Sequence, residues 1–274
     1  MPELPEVETI VKNLREGNGS PPILGSRIVS FSTDWPRHVE HPSLRSFNRR
    51  IKDREIVDVK RRGKYLVFPL DQETLLIHLR MSGDLRLAPT QDPKDRFDHT
   101  LFNLDNGWDL RFSDARKFGR VSLYADPEVV LGRLGPEPLA PNFAHEQLAN
   151  MLHARKRLLK PLLLDQSFLA GLGNIYTDEA LHQAGLHPLR RSDSLSNAEV
   201  KRLWRSIRES LEMGIHHNGA SIDWVFRGGD FQHHFRVYKQ EGEPCFNCGT
   251  QIQRTVVGGR GTHFCPHCQP EVQP

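Results

Sequence analysis

The chain has 274 residues, of which 37% are hydrophobic and 26% are charged. This length predicts two domains, and the hydrophobic content is enough for packed cores, which excludes a wholly disordered chain. No run of residues approaches the ~18 apolar positions that a membrane helix needs. The acidic start of the chain also lacks the basic and apolar regions of a signal peptide. We therefore expect a soluble, cytosolic protein with no membrane partner.

The net charge is only +3, and this total does not by itself indicate a nucleic-acid partner. The basic residues are clustered, however, with nine of them against three acidic residues between positions 45 and 64. Two shorter basic clusters lie at residues 155–160 and 201–208. Such clusters are typical of proteins that bind a polyanion, although each one can equally be a solvated surface.

The spacing of apolar residues predicts a helix over residues 5–16, followed by a strand-like region over residues 23–124. Short apolar runs at 64–68, 75–79, 99–104 and 108–112 are typical of strands. Asp105-Asn106-Gly107 between the last two runs predicts a hairpin turn. Residues 132–141 contain three prolines and two glycines and are interpreted as a linker. The first domain is therefore predicted to be β-rich and to span residues 1–131.

The region after the linker has helical periodicity at residues 144–153, 175–183 and 196–215. The last of these helices opens with Ser196 and Glu199 at capping-box spacing. Residues 235–238 are expected to form a short strand. We therefore predict a helical domain over residues 142–235 and a smaller C-terminal domain over residues 236–274.

All the cysteines lie in the last 30 residues, as two Cys-x2-Cys pairs separated by sixteen residues. This spacing predicts one structural zinc ion bound by four thiolates, and His263 and His267 are the competing ligands. A pair of disulfides is the alternative, but it is poor chemistry in a chain without a secretion signal. A four-thiolate site is closed to water, so we expect the zinc to hold structure. The predicted ligands are Cys245, Cys248, Cys265 and Cys268.

The second residue, Pro2, becomes an N-terminal secondary amine if Met1 is removed. An α-amino group has a pKa near 8, against about 10.4 for lysine, so it is more often neutral and able to attack a carbonyl carbon. Glu3 and Glu6 lie beside it and can move protons. The alternative is a simple acidic helix start, and the spacing alone favours that interpretation.

Eight short motifs occur in a fixed order along the chain. They begin with Met1-Pro2-Glu3-Leu4-Pro5-Glu6-Val7-Glu8-Thr9 and end with Gly259-Arg260-Gly261-Thr262. Between them lie Arg62-Gly63-Lys64-Tyr65-Leu66, His78-Leu79-Arg80-Met81-Ser82-Gly83, Asp114-Ala115-Arg116-Lys117-Phe118-Gly119, Lys160-Pro161, Leu163-Leu164-Asp165-Gln166 and Gly171-Leu172-Gly173-Asn174-Ile175-Tyr176. Each motif alone is modest, but the ordered set is specific. Over residues 1–269 the chain resembles bacterial formamidopyrimidine-DNA glycosylases.

The resemblance implies a bilobal α+β protein that acts as a monomer. An N-terminal β-sandwich with flanking helices would face a helix–two-turn–helix domain, which carries a lesion-capping loop and is followed by a four-cysteine zinc-finger β-hairpin. Damaged double-stranded DNA would lie in the cleft between them. The implied activity is removal of oxidised purines, namely 8-oxoguanine and formamidopyrimidines, followed by strand cleavage through β,δ-elimination. DNA binding would also associate the protein with the bacterial nucleoid.

The resemblance also implies four catalytic residues. Pro2 would form a Schiff base with C1′ of the damaged nucleotide, and Glu3 would donate and shuttle protons. Lys64 would assist β-elimination and Arg260 δ-elimination, both while contacting phosphate. Without the resemblance, Lys64 would be one more cation in a basic strand end, and Arg260 a solvated turn residue.

Eight further residues match DNA-contact positions of the family. Three of them would fill the gap that an everted nucleotide leaves in the stack. One asparagine would bind phosphates beside the lesion. Without the resemblance, the two apolar gap-filling residues would be ordinary core and the asparagine part of a helix start. The gap-filling residues are Met81, Arg116 and Phe118; the phosphate ligand is Asn174; the others are Lys160, Arg155, His78 and Tyr238.

Two positions depart from the family pattern. Phe97 replaces a histidine found in many relatives, so we expect one DNA contact to be missing. The segment at residues 220–230, which caps the everted base in the family, is shorter here, and this puts the capping of 8-oxoguanine in doubt. Leu4 and Val7 nevertheless favour the purine-specific branch over the pyrimidine-specific one.

Two other hypotheses fit part of the sequence. A zinc-ribbon protein that binds nucleic acid without chemistry explains the basic clusters and the cysteines equally well. A relative of the glycosylase fold that binds lesions without excising them is the third. The N-terminal motif, together with Lys64 and Arg260, is what favours an enzyme.

Overall fold

The computed structural model describes residues 1–221 and 228–271. The chain divides into two compact units. The first comprises Met1–Arg133 together with Asn218–Gly229, and the second comprises Leu134–His217 together with the chain from Asp230 onward. Most of the predicted capping segment, residues 222–227, lies outside the described residues.

In its described residues, the first unit has two five-stranded sheets, three α-helices and a short 3-10 helix at Pro36–His38. One sheet has the strand order β3-β1-β8-β9-β7 and the other β2-β10-β6-β5-β4. Within these sheets only the pair of β2 and β10 is parallel. The strands are β1 (Arg27–Thr33), β2 (Val39–His41), β3 (Arg54–Glu55), β4 (Lys60–Arg62), β5 (Tyr65–Pro69), β6 (Thr74–His78), β7 (Gly83–Pro89), β8 (Asp98–Leu104), β9 (Trp108–Asp114) and β10 (Arg120–Tyr124). The helices are α1 (Leu4–Glu16), α2 (Leu44–Ile51) and α3 (Glu128–Leu131).

Apolar residues from both sheets and from α1 and α2 form one buried core in this unit. The predicted hairpin joins β8 to β9, and Gly107 in its turn has a φ of +80°, a conformation that glycine adopts without strain. The strand-like interpretation of residues 23–124 is wrong at α2. Phe47 and Ile51 lie at helical spacing and both are buried in the core, so packing of one helical face decides this segment.

The second unit is helical except for one β-hairpin. Its helices are α4 (His145–His153), α5 (Leu159–Leu163), α6 (Asn174–Ala184) and α7 (Asn197–His216), and its strands are β11 (Gln253–Val257) and β12 (Arg260–Phe264). Helix α7 begins with the predicted capping box, since Ser196 Oγ accepts a hydrogen bond from Glu199 N at 3.3 Å. The predicted division of residues 142–274 into a helical domain and a zinc finger stays a prediction, because residues 218–229 belong to the first unit and the rest of this region forms one compact unit.

The predicted strand at residues 235–238 is wrong. The backbone N–H groups of Arg236, Val237 and Tyr238 all donate to the buried carboxylate of Glu179, at 2.8–3.0 Å. Three successive donors that converge on one carboxylate cannot alternate between two neighbouring strands. The segment therefore wraps around a side chain of α6.

The α+β class, the N-terminal β-sandwich, the helical region and the C-terminal hairpin confirm the fold predicted from the sequence. Among the described residues, no helix combines the length and the apolar character needed to cross a membrane.

We expect Ser196→Ala to lower the free energy of unfolding by about 1 kcal/mol, because it removes the acceptor for an N-terminal N–H group of α7. Urea unfolding measures this difference. Ser43→Ala is the matched control, since Ser43 is the N-cap of α2 but its side chain makes no capping hydrogen bond. Equal losses in the two variants would contradict the assignment of the capping bond.

Candidate DNA interface and zinc centre

The amino terminus of the chain is buried at its second and third residues. Pro2 is buried and Glu3 is 2% exposed, and α1 begins directly after them. Glu3 N donates to Glu6 Oε2 at 2.7 Å, and the Glu3 side chain accepts from the backbone of Glu6, so the two glutamates form a capping box. The predicted nucleophile and proton donor therefore stand at a fixed helix start.

Both carboxylate oxygens of Glu6 accept hydrogen bonds. Oε1 accepts from Ala220 N at 2.7 Å, while Oε2 accepts from Glu3 N. Gly219 has a φ of +81°, and a Cβ atom there would lie 2.7 Å from Glu6 Cγ. The chain at residues 219–220 therefore packs tightly on the first turn of α1, and the sequence interpretation of Glu6 as a proton carrier missed this role.

Lys64 lies in the turn between β4 and β5. It is only 5% exposed, and the preceding Gly63 has a φ of +57°. Arg61, in the neighbouring strand β4, donates from Nε to Glu8 Oε2 of α1 at 2.6 Å. This ion pair connects the strand beside Lys64 to the helix that begins next to Pro2.

His78 lies opposite Tyr65 in the register of β5 and β6, with its ring edge-on to the tyrosine at 4.6 Å. Its Nδ1 accepts a hydrogen bond from Arg80 N at 3.0 Å. Burial, together with the positive charges of Arg80 and Lys64, lowers the pKa of His78 to about 3. The His78 ring is therefore neutral at pH 7 in the protein without DNA, where it acts as a neutral hydrogen-bonding group.

The structure brings the three predicted gap-filling residues onto two adjacent turns of the first unit. Met81 lies in the turn between β6 and β7, and Arg116 and Phe118 lie in the connection between β9 and β10. Arg116 N donates to Ser82 Oγ at 3.0 Å, which joins the two turns. Phe118 is 46% exposed, and the guanidinium of Arg116 lies 4.9 Å from the centre of its ring. An exposed aromatic ring beside a cation is suited to stacking on bases.

Asp114 holds both turns, although its side chain has no access to solvent. Its carboxylate accepts from Ser82 Oγ and from Gly119 N, the latter at 2.7 Å, and lies 3.5 Å from His38 Nε2. Burial would raise the pKa of Asp114, but the nearby His38 ring and the hydrogen bonds from Ser82 and Gly119 outweigh it and lower the pKa to about 2. The two turns are thus fixed by one ionised carboxylate.

In the second unit, the start of α6 contacts the tip of the β-hairpin. Asn174 Nδ2 donates to Gly261 O at 2.9 Å, and Asn174 Oδ1 is buried without a partner in the described structure. Lys160 Nζ donates to the same carbonyl at 3.0 Å and to Asp178 Oδ1 at 2.6 Å. Arg260, which precedes Gly261, is exposed and therefore stands beside Asn174.

Lys160 differs from the other predicted DNA contacts because its side chain is completely buried, as is that of Asp178. The second oxygen of Asp178 accepts from His263 N at 3.0 Å. The ammonium group thus joins α5, α6 and β12, and in this structure it does not face solvent. In this position Lys160 holds the hairpin against α5 and α6. A direct contact of Lys160 with DNA phosphate stays a prediction.

The remaining two predicted contacts are placed by side chains of the same unit. Arg155 is exposed, and its guanidinium lies 5.3 Å from the centre of the Phe168 ring. Tyr238 N donates to Glu179 Oε1 at 2.8 Å, and its ring lies edge-on to His263 at 5.2 Å. Burial raises the pKa of Glu179, while its three backbone donors oppose this rise.

The four cysteines form one cluster, which confirms the predicted site for a single structural zinc ion. Cys248 Sγ lies 3.5 Å from the sulfur atoms of Cys265 and Cys268, and Cys245 Sγ lies 3.9 Å from that of Cys268. Zinc–sulfur bonds of about 2.3 Å place tetrahedral ligands about 3.8 Å apart, whereas a disulfide needs about 2 Å. Neither His263 nor His267 belongs to this cluster of ligand atoms, and His263 Nδ1 faces Asp178 at 3.3 Å.

Two groups outside the cysteine pairs connect this zinc centre to α6 and to the residues that follow it. His182 Nε2 lies 3.4 Å from Cys245 Sγ, and burial lowers the pKa of His182 to about 4. Gln269 accepts from Cys265 N and donates to Leu186 O, each at 2.9 Å. Such contacts orient metal ligands. No sequence motif assigned His182 or Gln269 a role.

Ser82, Asp114 and His38 are further residues of this site that have no role predicted from the sequence. Ser82 and Asp114 lie inside two of the family motifs, and their polar side chains at the ends of strands were an available signal. His38 has no such signal, because only the fold brings it to Asp114.

Comparison with known proteins gives the same picture along the whole chain. Residues 1–121 match the formamidopyrimidine-DNA glycosylase N-terminal domain, residues 134–225 match the H2TH domain of that enzyme, and residues 242–270 match a zinc finger found in FPG and IleRS. The chain is 44% identical over 277 residues to the formamidopyrimidine-DNA glycosylase of Herpetosiphon aurantiacus, covering 98% of this chain and 100% of the relative. It is 41% identical over 278 residues to the enzyme of Geobacillus kaustophilus, with the same coverage.

Solved structures of two DNA complexes share the fold. One is MutM bound to DNA that contains carbocyclic 8-oxo-G, and the other is Lactococcus lactis FPG (MutM) bound to DNA that contains FAPY-dG. Each has a TM-score of 0.90 and 36% sequence identity, and each match covers 98% of this chain and 100% of the solved chain.

We expect Asp114→Asn to lower the free energy of unfolding at pH 7 by about 2 kcal/mol. The pKa of Asp114 lies below its ordinary value, so the stabilisation is complete above pH ~4 and is lost as the pH falls towards 2. Urea unfolding at pH 7 and pH 3 measures both values, with the exposed Asp92 substituted by Asn as the control. A loss that is the same at pH 7 and pH 3 would show that the charge of Asp114 is not what matters.

Proposed function

Because the chain belongs to the formamidopyrimidine-DNA glycosylase family, we propose that it removes oxidised purines from damaged double-stranded DNA. It then cleaves the strand at the resulting abasic site. The observation that carries this proposal is the buried Pro2–Glu3 pair at the fixed start of α1. The protein acts as a monomer, in the bacterial cytoplasm, on the chromosomal DNA of the nucleoid.

Removal of Met1, which is 40% exposed, gives Pro2 the free secondary amine that the reaction needs. The lone pair of this nitrogen attacks C1′, and the bond from C1′ to the damaged base breaks. The base leaves with a proton that Glu3 supplies. The nitrogen then loses its proton, and the C1′–O4′ bond of the sugar breaks as O4′ takes up a proton. This ring opening gives a positively charged iminium, which acidifies the hydrogens on C2′ and permits elimination of the 3′ phosphate.

Lys64 and Arg260 assist the two eliminations. In this proposal Lys64 contacts phosphate and promotes β-elimination. Its position supports this role, because Lys64 lies next to strand β4. The ion pair of Arg61 in that strand with Glu8 joins β4 to α1, the helix that begins next to Pro2. Arg260 contacts phosphate and promotes δ-elimination. Its exposure at the tip of the zinc hairpin supports that assignment.

The other residues bind and deform the duplex. Met81, Arg116 and Phe118 fill the space that the everted nucleotide leaves, and Asn174 binds phosphate beside it. Arg155, His78 and Tyr238 provide further contacts. Lys160 acts as a positioning residue, because its buried bonds to Asp178 and Gly261 hold the hairpin next to Asn174.

Borohydride trapping tests the covalent chemistry. Borohydride reduces the iminium to a stable amine, so the zinc-loaded protein without Met1 is expected to be trapped on duplexes that hold 8-oxoguanine opposite cytosine or an abasic site. Peptide mapping then places the adduct at Pro2. We expect Pro2→Gly to slow trapping and strand cleavage by roughly tenfold or more while duplex binding is kept. Pro5→Ala, in the same helix turn, is the control.

The outcomes of trapping separate the alternatives. An adduct on the abasic duplex alone would show that the protein has lyase activity and that its glycosylase activity acts on a lesion other than 8-oxoguanine. The absence of an adduct on both duplexes favours a zinc-ribbon protein that binds nucleic acid without chemistry. Normal cleavage by Pro2→Gly would mean that another group is the nucleophile.

Arg260→Ala is expected to slow δ-elimination more than β-elimination, because the guanidinium acts on the second phosphate. Gel separation of the two cleavage products on an abasic duplex measures both rates. Arg254→Ala is the matched control, since Arg254 is also an exposed arginine of the hairpin. Equal slowing of both steps would make Arg260 a binding contact only.

A further inference from the structure

A second group of metal-ligating side chains lies in the second unit, apart from the cysteines. His217, Asp230 and His234 place one ligand atom each within 4.8 Å of one another. His217 ends α7 as its C-cap, and His234 is the last residue of a short 3-10 helix at Phe231–His234 that has Asp230 as its N-cap. We propose that these three residues form a binding site for a divalent transition-metal ion, such as Zn²⁺.

The distances between the ligand atoms favour a metal over a hydrogen-bonded network. Asp230 Oδ2 lies 3.6 Å from His217 Nδ1 and 3.4 Å from His234 Nε2. Normal N–H···O hydrogen bonds are about 2.7–3.2 Å long, so both separations are too long. Ligands bound to one tetrahedral ion at about 2.0–2.1 Å are about 3.3 Å apart, which is close to both values.

The backbone holds the three residues in place without a metal. Asp230 N donates to His217 O at 2.9 Å, and His233 N donates to Asp230 O at 3.1 Å. Phe231, which follows Asp230, is 4% exposed and stacks on the ring of Tyr176 at 5.2 Å. The turn that carries Asp230 and His234 is therefore anchored in the core of the unit, which keeps the backbone of the proposed ligands close together before an ion binds.

The chemistry of the donors sets the class of ion. Two imidazoles and one carboxylate suit Zn²⁺, Co²⁺, Ni²⁺ and Fe²⁺, whereas Mg²⁺ and Ca²⁺ prefer oxygen ligands alone. The ring centres of His217 and His234 lie 3.8 Å apart with their planes 33° from parallel, so coordination of one ion by both rings requires small side-chain rotations that move the rings apart. The side chains of Asp230 and His234 are 59% and 40% exposed, so water can complete the coordination shell, unlike the closed cysteine site.

The site joins two points of the chain that are separated by residues 218–229. The chain leaves the second unit after His217 and re-enters it at Asp230. A bound ion therefore links these two positions directly. This inference concerns metal binding alone and does not depend on the proposed activity.

Titration of Co²⁺ into the protein, with zinc already in the cysteine site, tests the proposal. We expect one additional equivalent to bind and to show the weak visible bands of a nitrogen and oxygen ligand set. A thiolate-to-cobalt charge-transfer band is not expected. His217→Gln, Asp230→Asn and His234→Gln should each weaken Co²⁺ binding by roughly tenfold or more, since each removes one of three protein ligands.

His216→Gln is the matched control, because His216 is an exposed histidine next to His217 that is not in the cluster. Its Co²⁺ affinity is expected to equal that of the unsubstituted protein, and circular dichroism confirms that all variants are folded. Binding of no additional cobalt, or equal affinity in all four variants, would overturn the proposal. A charge-transfer band with release of zinc and no further cobalt bound would overturn it too.

Discussion

The amino terminus of this chain is held in place by buried hydrogen bonds, and the proposed chemistry depends on that constraint. Chain termini usually fray, since nothing ties down their first residues. Here Glu3 and Glu6 cap α1, and Ala220, more than 200 residues away, donates to the second oxygen of Glu6. A backbone nitrogen has no side-chain torsions with which to adjust its position. Its reactivity toward one carbon of a nucleotide therefore requires that the surrounding helix turn be rigid.

The second unit uses a buried ion pair for a comparable purpose. Lys160 and Asp178 are fully buried, and together they bind Gly261 O and His263 N of the zinc hairpin. Removing one partner of such a pair typically costs about 3–5 kcal/mol, because the other charge is left buried and uncompensated. The zinc ion fixes the base of the hairpin, and this pair fixes its tip. The position of Arg260 relative to Asn174 follows from both.

The two metal centres of the second unit have different chemistry. The cysteine site has four thiolates and is closed, with His182 and Gln269 orienting it from α6 and the chain after it, so its ion acts on structure. The proposed site at His217, Asp230 and His234 offers three ligands and is open to water. Thiolates bind zinc far more tightly than a mixed, exposed set of ligands does. The occupancy of the second site would therefore depend on the concentration of available metal, whereas the cysteine site would stay filled.

Features that depend on neighbours in the chain were determined by the sequence itself. These are the helix at α1, the Asn-Gly hairpin, the capping box of Ser196 and the two cysteine pairs, because their hydrogen bonds and turns close within a few residues. The ordered motifs also identified the family. Only the tertiary structure decided which charges are buried and what they bind. From the sequence Lys160 is expected to be a surface cation, but in the structure it is buried against Asp178 of α6. Residues 235–238 are expected to form a strand, but their backbone N–H groups donate to Glu179 instead. Asp114 can fix the two turns only because folding brings His38 and Ser82 next to its carboxylate. Partners that are distant in sequence leave no local pattern, since their contact is created by the packing of elements that each fold for other reasons.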